Sequence, residues 1–154
     1  MKSIFKFLVI TLLACTSCDK IIDWAPIDLR IYVQDTSGKD LLDPENDNTW
    51  AEGTTLTFQG NESLLELNDT PQTKDLPAVY EGFRIEKDGD RYQMVYGEIY
   101  GGDTYRNEEF IIRWPDGTED IISLTRRMNN IKVSAKNIWK LNGEKTDFPI
   151  VIVK

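Results

Sequence analysis

The feature that most constrains the fold is an alternation of apolar and polar residues with a period of two. It is clearest in IDLRIYVQ (27–34), where isoleucine, leucine or valine occupies every second position. Successive side chains of a β-strand point to opposite faces of its sheet, so this pattern predicts a strand with one buried face. No stretch shows a comparable apolar repeat of about 3.6 residues, the period of an amphipathic helix.

Similar short runs follow at regular spacing, separated by turn residues. Asp88-Gly89, Pro115-Asp116-Gly117 and Asn142-Gly143 each stand between two runs and predict hairpins, because glycine accepts the positive φ of a tight turn. The other predicted strand regions are 54–58, 63–67, 79–87, 91–100, 108–114, 118–124, 131–141 and 148–154. We therefore expect an all-β fold, an antiparallel β-sandwich with little or no helix.

The amino-terminal segment has the character of an export signal. Lys2 and Lys6 give a basic start, and an apolar run from 7 to 14 follows. This run is far shorter than the ~20 residues that a helix needs to cross a bilayer. It ends at the only two cysteines of the chain, Cys15 and Cys18. The segment resembles the signal of bacterial lipoproteins, in which a cysteine thiol receives diacylglycerol and the cysteine becomes the first residue of the mature protein.

Both cysteines are candidates for the lipid. Cys15 follows a leucine three positions back and a small residue just before it, as lipoprotein signals do. Cys18 lacks that leucine, but it gives a signal of more usual length, and the string TSCDK resembles lipoproteins of the Bacteroidetes. We favour Cys18, with Cys15 as the alternative. The expected organisation is a signal peptide (1–17), a tether (18–25) and one domain (26–154).

Composition excludes several classes of chemistry. The sequence has no histidine, and no cysteine follows position 18, so the domain cannot use a Ser–His–Asp triad, a Cys–His dyad or a histidine-ligated metal. Without Lys2 and Lys6 of the signal, 16 basic residues face 26 acidic ones, a formal net charge of −10. Such a charge should repel nucleic acid and anionic lipid head groups. We expect no cofactor and no nucleic-acid partner.

Several longer strings carry a resemblance. The lipoprotein-like start, WAPIDLRIYVQDTSGKDLLDP (24–44), EKDGDRY (86–92) and NEEFIIRWPDGTEDII (107–122) together resemble a family of small uncharacterised lipoproteins of gut Bacteroidetes. The resemblance implies a β-sandwich held on the cell envelope, at the outer membrane and in some cases exposed on the surface, and it supplies no catalytic residues. Asp35, Gly38 and Leu41 also resemble the opening of transthyretin-like sandwiches. The expected sandwich is therefore Ig-like or transthyretin-like.

The long irregular segment 35–53 collects oxygen ligands. Asp43, Glu45 and Asp47, with neighbouring Asp40 and two asparagines, are candidates for a calcium site, since calcium takes six to eight oxygens in flexible geometry. Their spacing is not that of an EF-hand. A solvated polar loop held by Asx turns is the preferred interpretation.

Carboxylates cluster a second time around a predicted hairpin, at Glu98, Asp103, Glu108 and Glu109. Paired carboxylates about 5–10 Å apart can hydrolyse a glycoside. Glu108 and Glu109 are adjacent on a strand and point to opposite faces, so they cannot serve one site. Edge charge that prevents aggregation is the preferred interpretation.

Aromatic residues offer candidate ligand contacts. Tyr92, Tyr96 and Tyr100 should share one strand face with Met94, and we expect that face to fill the core rather than to form a sugar platform. Trp50 and Tyr105 lie in loop-like surroundings and are expected to be exposed. The candidate contacts are therefore Trp50, Tyr100 and Tyr105.

These observations support three hypotheses of function. The first is a non-catalytic binding or accessory lipoprotein that presents a surface to a glycan, a peptide or a partner protein. The second is a structural or assembly subunit of the cell envelope, which would pair through an unprotected strand edge. The third is a glycoside hydrolase that uses carboxylates alone. We favour the first.

Overall fold

The computed structural model describes residues 24–46, 49–67, 82–129 and 133–154, without the side chain of Glu98. These residues form ten strands and no helix, in agreement with the predicted all-β class. The strands are β1 (Ile27–Gln34), β2 (Thr55–Phe58), β3 (Asn61–Leu64), β4 (Phe83–Asp88), β5 (Arg91–Ile99), β6 (Glu108–Arg113), β7 (Glu119–Asn129), β8 (Ser134–Leu141), β9 (Glu144–Thr146) and β10 (Ile150–Val153). Within the described ranges, no helix has the length and hydropathy needed to span a bilayer.

The strands form two sheets that pack face to face as a sandwich. The four-stranded sheet has the order β10-β1-β5-β4, and the six-stranded sheet has the order β3-β2-β6-β7-β8-β9. Among the ten described strands, every pair is antiparallel except that of β10 with β1. These two strands run parallel and pair Ile31 with Ile150 through to Gln34 with Val153. The predicted β-sandwich is thus confirmed, with one parallel pair that the sequence did not predict.

One continuous core lies between the sheets. In β1 every odd-numbered residue from Ile27 to Val33 is buried and every even-numbered residue is partly exposed, as the alternation predicts. The six-stranded sheet contributes a group of aromatic side chains, in which Phe58 and Phe110 stack with ring centroids 4.4 Å apart and Tyr96 of the facing sheet meets Phe110 edge-on at 6.2 Å. Aromatic pairs of this kind stabilise by about 0.5–1.5 kcal/mol beyond the area they bury.

Tight turns with positive φ connect neighbouring strands. Asn142 and Gly143 both have positive φ between β8 and β9, and Gly117 does so between β6 and β7. The hairpins predicted at Asp88-Gly89 and at Pro115-Asp116-Gly117 are confirmed, since β4 pairs with β5 and β6 pairs with β7. The turn at Asn142-Gly143 is also confirmed, but it joins β8 to β9, whereas the predicted second strand, 148–154, forms β10 and pairs with β1. A further hairpin joins β2 to β3 through Gln59 and Gly60, both with positive φ. It was not predicted, because glutamine is an uncommon first residue of such a turn.

The two edges of the four-stranded sheet differ. The edge of β4 is covered, because the N–H of Glu66 donates to the carbonyl of Phe83 and the N–H of Ile85 donates to the carbonyl of Glu66, each at 2.9 Å. The opposite edge is formed by β10, whose outward-facing Val151 and Val153 are exposed. Within the described parts of the chain, β10 pairs only with β1.

The start of the described chain packs against the sandwich. A Cβ atom on Gly101 would lie 1.8 Å from the carbonyl oxygen of Ala25, so only glycine allows this close approach. Beside it, the guanidinium carbon of Arg126 lies 5.6 Å from the centroid of the Trp24 ring. Two residues of the predicted tether, Trp24 and Ala25, thus contact the domain.

Candidate functional site

The three aromatic residues predicted to contact a ligand do not form one exposed cluster. Tyr105 is only 7% exposed, and its hydroxyl donates a 2.8 Å hydrogen bond to the carbonyl of Tyr100. Burial, followed by the charges of Asp103 and Glu108, raises the pKa of Tyr105. The prediction that Tyr105 is exposed is wrong, because the chain after β5 folds back and places its ring in the core.

Trp50 is half-buried rather than freely exposed. Its ring meets that of Trp114 edge-on with centroids 5.7 Å apart, and the Nζ atom of Lys154 lies 5.4 Å from its centroid. Trp50 therefore packs against the core, and its predicted exposure is correct only in part.

A β-bulge explains the position of Tyr100. In the β1–β5 pair, Leu29 faces Tyr96 but Ile27 faces Ile99, so β5 carries one extra residue between these points. A bulge of this kind moves every later side chain to the other face. Met94 and Tyr96 lie in the core, as predicted. Tyr100 follows the bulge and is 64% exposed, so the prediction that it shares their face is wrong.

Two carboxylates of the candidate calcium site accept hydrogen bonds from backbone N–H groups. Oδ1 of Asp43 accepts a 3.0 Å hydrogen bond from the N–H of Glu45, which is an Asx turn. Oδ2 of Asp40 accepts a 2.7 Å hydrogen bond from the N–H of Tyr92 and ties the loop to β5. Asp47 lies outside the described residues, as do Cys15 and Cys18. Among the residues that are described, no group of three or more acidic, cysteine or histidine side chains could hold a metal ion.

The second group of carboxylates is dispersed on the surface. Oε1 of Glu108 accepts a 3.2 Å hydrogen bond from Nε2 of Gln59. Asp103 and Glu109 are exposed, and the side chain of Glu98 is not described.

One carboxylate, Asp120, is buried between the sheets. Its oxygens accept hydrogen bonds from Nε1 of Trp114 and Nδ2 of Asn142, both at 2.7 Å, and from Nζ of Lys154 at 2.5 Å. Burial alone would raise the pKa of Asp120, but the hydrogen bonds from Asn142, Lys154 and Trp114 outweigh it, and the pKa lies below its ordinary value. Every contact of this carboxylate is thus one that stabilises its charged form.

The lowered pKa of Asp120 predicts a pH-dependent stability. A carboxylate with a depressed pKa stabilises the fold fully above its unfolded pKa of about 3.9, and this contribution is lost as the pH falls through the lower folded value. We expect the difference in unfolding free energy between the wild type and Asp120→Asn to shrink when urea unfolding is measured at about pH 3 instead of pH 6. An equal difference at both pH values would contradict the assignment. The pKa values of the exposed Asp35 and Asp116 are also lowered. Their contributions to stability are the same in the wild type and in Asp120→Asn, so they cancel in the difference.

A groove of about 490 Å³ opens beside the amino-terminal half of β1. Three aromatic side chains line it: Trp24 before β1, Trp139 on β8 and Phe148 between β9 and β10. The rings of Trp139 and Phe148 stack with centroids 5.5 Å apart and planes 16° apart, and Phe148 is 45% exposed. Trp139 is only 5% exposed, so the aromatic wall of the groove meets solvent mainly through Phe148 and the half-buried Trp24.

A buried arginine lies among these rings. Arg126 is 6% exposed, and its terminal nitrogens donate to Oδ1 of Asn137 at 2.7 Å and to the carbonyl of Gly101 at 2.8 Å. Its Nε is buried and has no hydrogen-bond partner among the described residues. Burial lowers the pKa of Arg126 from its ordinary value, although the charge of Tyr105 acts in the opposite direction.

One carboxylate lines the groove in the described part of the chain, that of Asp28. Its Oδ2 lies 3.3 Å from the guanidinium of Arg30, which also lines the groove. No described carboxylate is paired with Arg126. The groove therefore combines two cations with one anion, on a chain whose formal net charge is −8.

The groove was not predicted from the sequence, although the sequence carries one signal for Arg126. In β7 the inward positions Ile122 and Leu124 alternate with more exposed residues, and one further step of the same two-residue period leads to Arg126. An arginine on the core face of a strand is unusual, since charged groups are almost never fully buried without a partner. Trp24, Trp139 and Phe148 carry no such signal, because they are far apart in the sequence.

No family model matches the chain, and no curated protein or solved structure matches it. The groove and the amino-terminal sequence are therefore the features that bear on function.

Proposed function

We propose that this chain is a lipid-anchored protein of the bacterial cell envelope whose β-sandwich domain binds a ligand in the groove beside β1, without catalysing a reaction. The anchor is the diacylglycerol-modified Cys18, with Cys15 as the alternative, and the location is the outer membrane. The ligand is a glycan, a peptide or a segment of a partner protein. The amino-terminal pattern and the resemblance to Bacteroidetes lipoproteins support the anchor.

The stacked pair of Trp139 and Phe148 is the observation that carries the binding proposal. A ring that is 45% exposed in a concave surface leaves apolar area in water. Aromatic side chains with a few convergent polar groups are typical of ligand sites. Asp28, Arg30 and Arg126 supply such polar groups beside the rings.

The polar groups of the groove support binding rather than acid–base chemistry. Hydrolysis of a glycoside by carboxylates alone needs two carboxyl groups about 5–10 Å apart. Of the described acidic residues, Asp28 alone lines the groove, and it pairs with Arg30. The buried Asp120 is occupied by Lys154.

Binding is tested by a panel of soluble oligosaccharides and short peptides, monitored by tryptophan fluorescence because Trp24 and Trp139 line the groove. We expect Phe148→Ala to weaken binding of a hit by about tenfold, since an aromatic contact contributes about 0.5–1.5 kcal/mol beyond the area it buries. Leu64→Ala is the matched control, because Leu64 is an exposed apolar residue on β3, remote from β8 in the strand order. Equal affinities of the two variants would place the ligand elsewhere and contradict the proposal.

The anchor is tested by mass spectrometry of the protein purified from membranes. We expect an amino terminus at Cys18 that carries a thioether-linked diacylglycerol, and we expect Cys18→Ser to remain unprocessed or to move to the aqueous phase of a detergent partition. Modification at Cys15, with Cys18→Ser still lipidated, would select the alternative cysteine. An unmodified and uncleaved amino terminus would contradict the anchor itself.

The free edge of β10 favours a second candidate function, that of a structural or assembly subunit. Val151 and Val153 are exposed on a strand without bulge or charge, and such an edge is a template for pairing with another chain. This candidate predicts oligomers in sedimentation experiments on the domain without its anchor. It also predicts that Val151→Lys abolishes them, whereas a monomer at all concentrations would exclude self-assembly.

A further inference from the structure

We infer that the groove takes an extended peptide segment that adds a strand to the free edge of β1 and places a carboxylate beside Arg126. This inference rests on the proposed function, because it names the ligand class of the same groove. It is carried by three features: an unpaired strand edge, a buried guanidinium without a counter-charge and an exposed aromatic wall.

The unpaired edge is the amino-terminal half of β1. Residues 27–34 form the strand, but β10 begins opposite Ile31 and covers only the half from there to Gln34. On the other side, β5 pairs along the strand as far as Ile27. The register of β10 directs the N–H of Ile150 to the carbonyl of Arg30, so β10 already pairs with that group. Within the described residues, residues 27–29 and the N–H of Arg30 therefore have a neighbouring strand on one side and none on the other. This gap is about 10 Å long at the usual rise of 3.3 Å per residue.

The N–H and C=O groups of Asp28 and the N–H of Arg30 face this gap. The N–H of Lys154, just after β10, donates to the carbonyl of Gln34 at 2.9 Å, so the backbone of Gln34 faces the β10 side. Backbone groups alternate in direction along a strand, so residues separated by an even number of positions point to the same side. Arg30 and Asp28 lie four and six positions before Gln34 and therefore also face the β10 side. Both residues line the groove. Exposed N–H and C=O groups of this kind are what an added peptide strand uses.

The guanidinium of Arg126 indicates that the ligand carries a negative charge. A buried cation is costly unless a negative charge compensates it. Arg126 is 6% exposed, and its described partners are the neutral Asn137 and the carbonyl of Gly101. Asp28, the described carboxylate of the groove, is already paired with Arg30. An acidic side chain or a terminal carboxylate of the peptide would supply the missing charge, since arginine binds carboxylates with strong charge-assisted hydrogen bonds.

The aromatic wall indicates that the peptide also has an apolar residue near its carboxylate. Side chains of a bound strand alternate in direction, so those that point towards the six-stranded sheet would meet Phe148. Its exposed ring, stacked on the buried Trp139, offers a flat apolar surface for a β-branched or aromatic side chain. The expected ligand is thus an extended segment with an apolar residue and an acidic residue on one face.

A displayed library of random ten-residue peptides, selected on the detergent-solubilised full chain, tests the ligand class. We expect enriched peptides to carry aspartate or glutamate near apolar residues. For a synthetic peptide from the selection, we expect Arg126→Gln to weaken binding by about tenfold or more, because a hydrogen bond to a charged group is lost. Replacing the acidic residue of the peptide by its amide should have a similar effect. Arg127→Gln is the matched control, since it makes the same charge change at the adjacent, exposed position of β7.

Amide hydrogen exchange on the unmodified chain tests the added strand directly and does not depend on the folding of a variant. At saturating peptide, exchange of the Asp28 and Arg30 amides should slow by about tenfold or more, because each becomes hydrogen-bonded. The amide of Leu29, which faces β5, should change little. Asp28→Pro removes one donor of the free edge and should weaken the peptide by about tenfold.

The outcomes separate this inference from the proposed function. Peptides without an acidic preference, equal affinities of Arg126→Gln and Arg127→Gln, or unchanged exchange at Asp28 and Arg30 would each overturn the inference. If no peptide is selected but an oligosaccharide binds in a way that depends on Phe148, the inference of a peptide ligand is overturned. The proposal that the groove is the binding site then still holds. Binding that depends on neither Phe148 nor Arg126 would overturn both.

Discussion

Replacing Phe110 by alanine should destabilise the domain by about 3–5 kcal/mol, the range for a large aromatic side chain removed from a packed core. Phe110 is fully buried, and its ring contacts Phe58, Tyr96 and Trp139 at centroid distances of 4.4, 6.2 and 6.2 Å. Those partners come from both sheets, so the cavity would lie at the centre of the sandwich and could not close by a local shift. Urea unfolding followed by circular dichroism measures the loss.

Phe148→Ala is the control for that prediction, because it makes the same change at a side chain that is already 45% exposed. Its ring contacts Trp139 at 5.5 Å. We expect a loss of roughly 0.5–1.5 kcal/mol, the contribution of one aromatic pair. If Phe110→Ala and Phe148→Ala cost the same, the two rings would not occupy the positions described.

Replacing Asp120 by alanine should cost about 3 kcal/mol, because removal of one partner leaves the buried charge of Lys154 uncompensated. Nε1 of Trp114 and Nδ2 of Asn142 lose an acceptor at the same time. Lys154→Met in the Asp120→Ala background should restore part of the loss, since the uncompensated cation is then gone. A double mutant that is as unstable as the sum of the two single mutants would show that the pair does not interact.

The neighbouring pair of Glu119 and Arg113 is the matched control. It has a similar separation, 2.8 Å, but both side chains are exposed. We expect Glu119→Ala to cost less than about 1 kcal/mol, as exposed ion pairs do. The contrast between adjacent positions 119 and 120 of the same strand then isolates the effect of burial.

The local pattern predicted the elements better than their arrangement. The alternation in 27–34 predicted the burial of β1 position by position, and the turn residues located three hairpins. The parallel pairing of β10 with β1 left no local signal, because it joins residues more than one hundred positions apart. β7 extends to Asn129, past the predicted end at 124, since pairing with β8 overrides the polar pair of Arg126 and Arg127.

The candidate site could be predicted less well, for related reasons. A single extra residue in β5 turns Tyr100 outward, and a sequence pattern with a strict period of two cannot show it. Tyr105 was expected to be exposed because it lies in loop-like surroundings, yet its hydroxyl donates to the carbonyl of Tyr100 and its ring is buried. The groove joins residues from positions 24 to 148, so it exists only in the folded chain.

Spectra of the isotope-labelled domain, recorded during titration with a selected peptide or oligosaccharide, test most directly that the groove beside β1 is the binding site. The account predicts that the indole N–H signals of Trp24 and Trp139 and the amide signals of Asp28 and Arg30 shift together. The indole signal of Trp114, which is held by Asp120 in the core, should stay in place. Saturable shifts confined to β3 or to the loop of residues 35–46, with the groove signals unchanged, would contradict it.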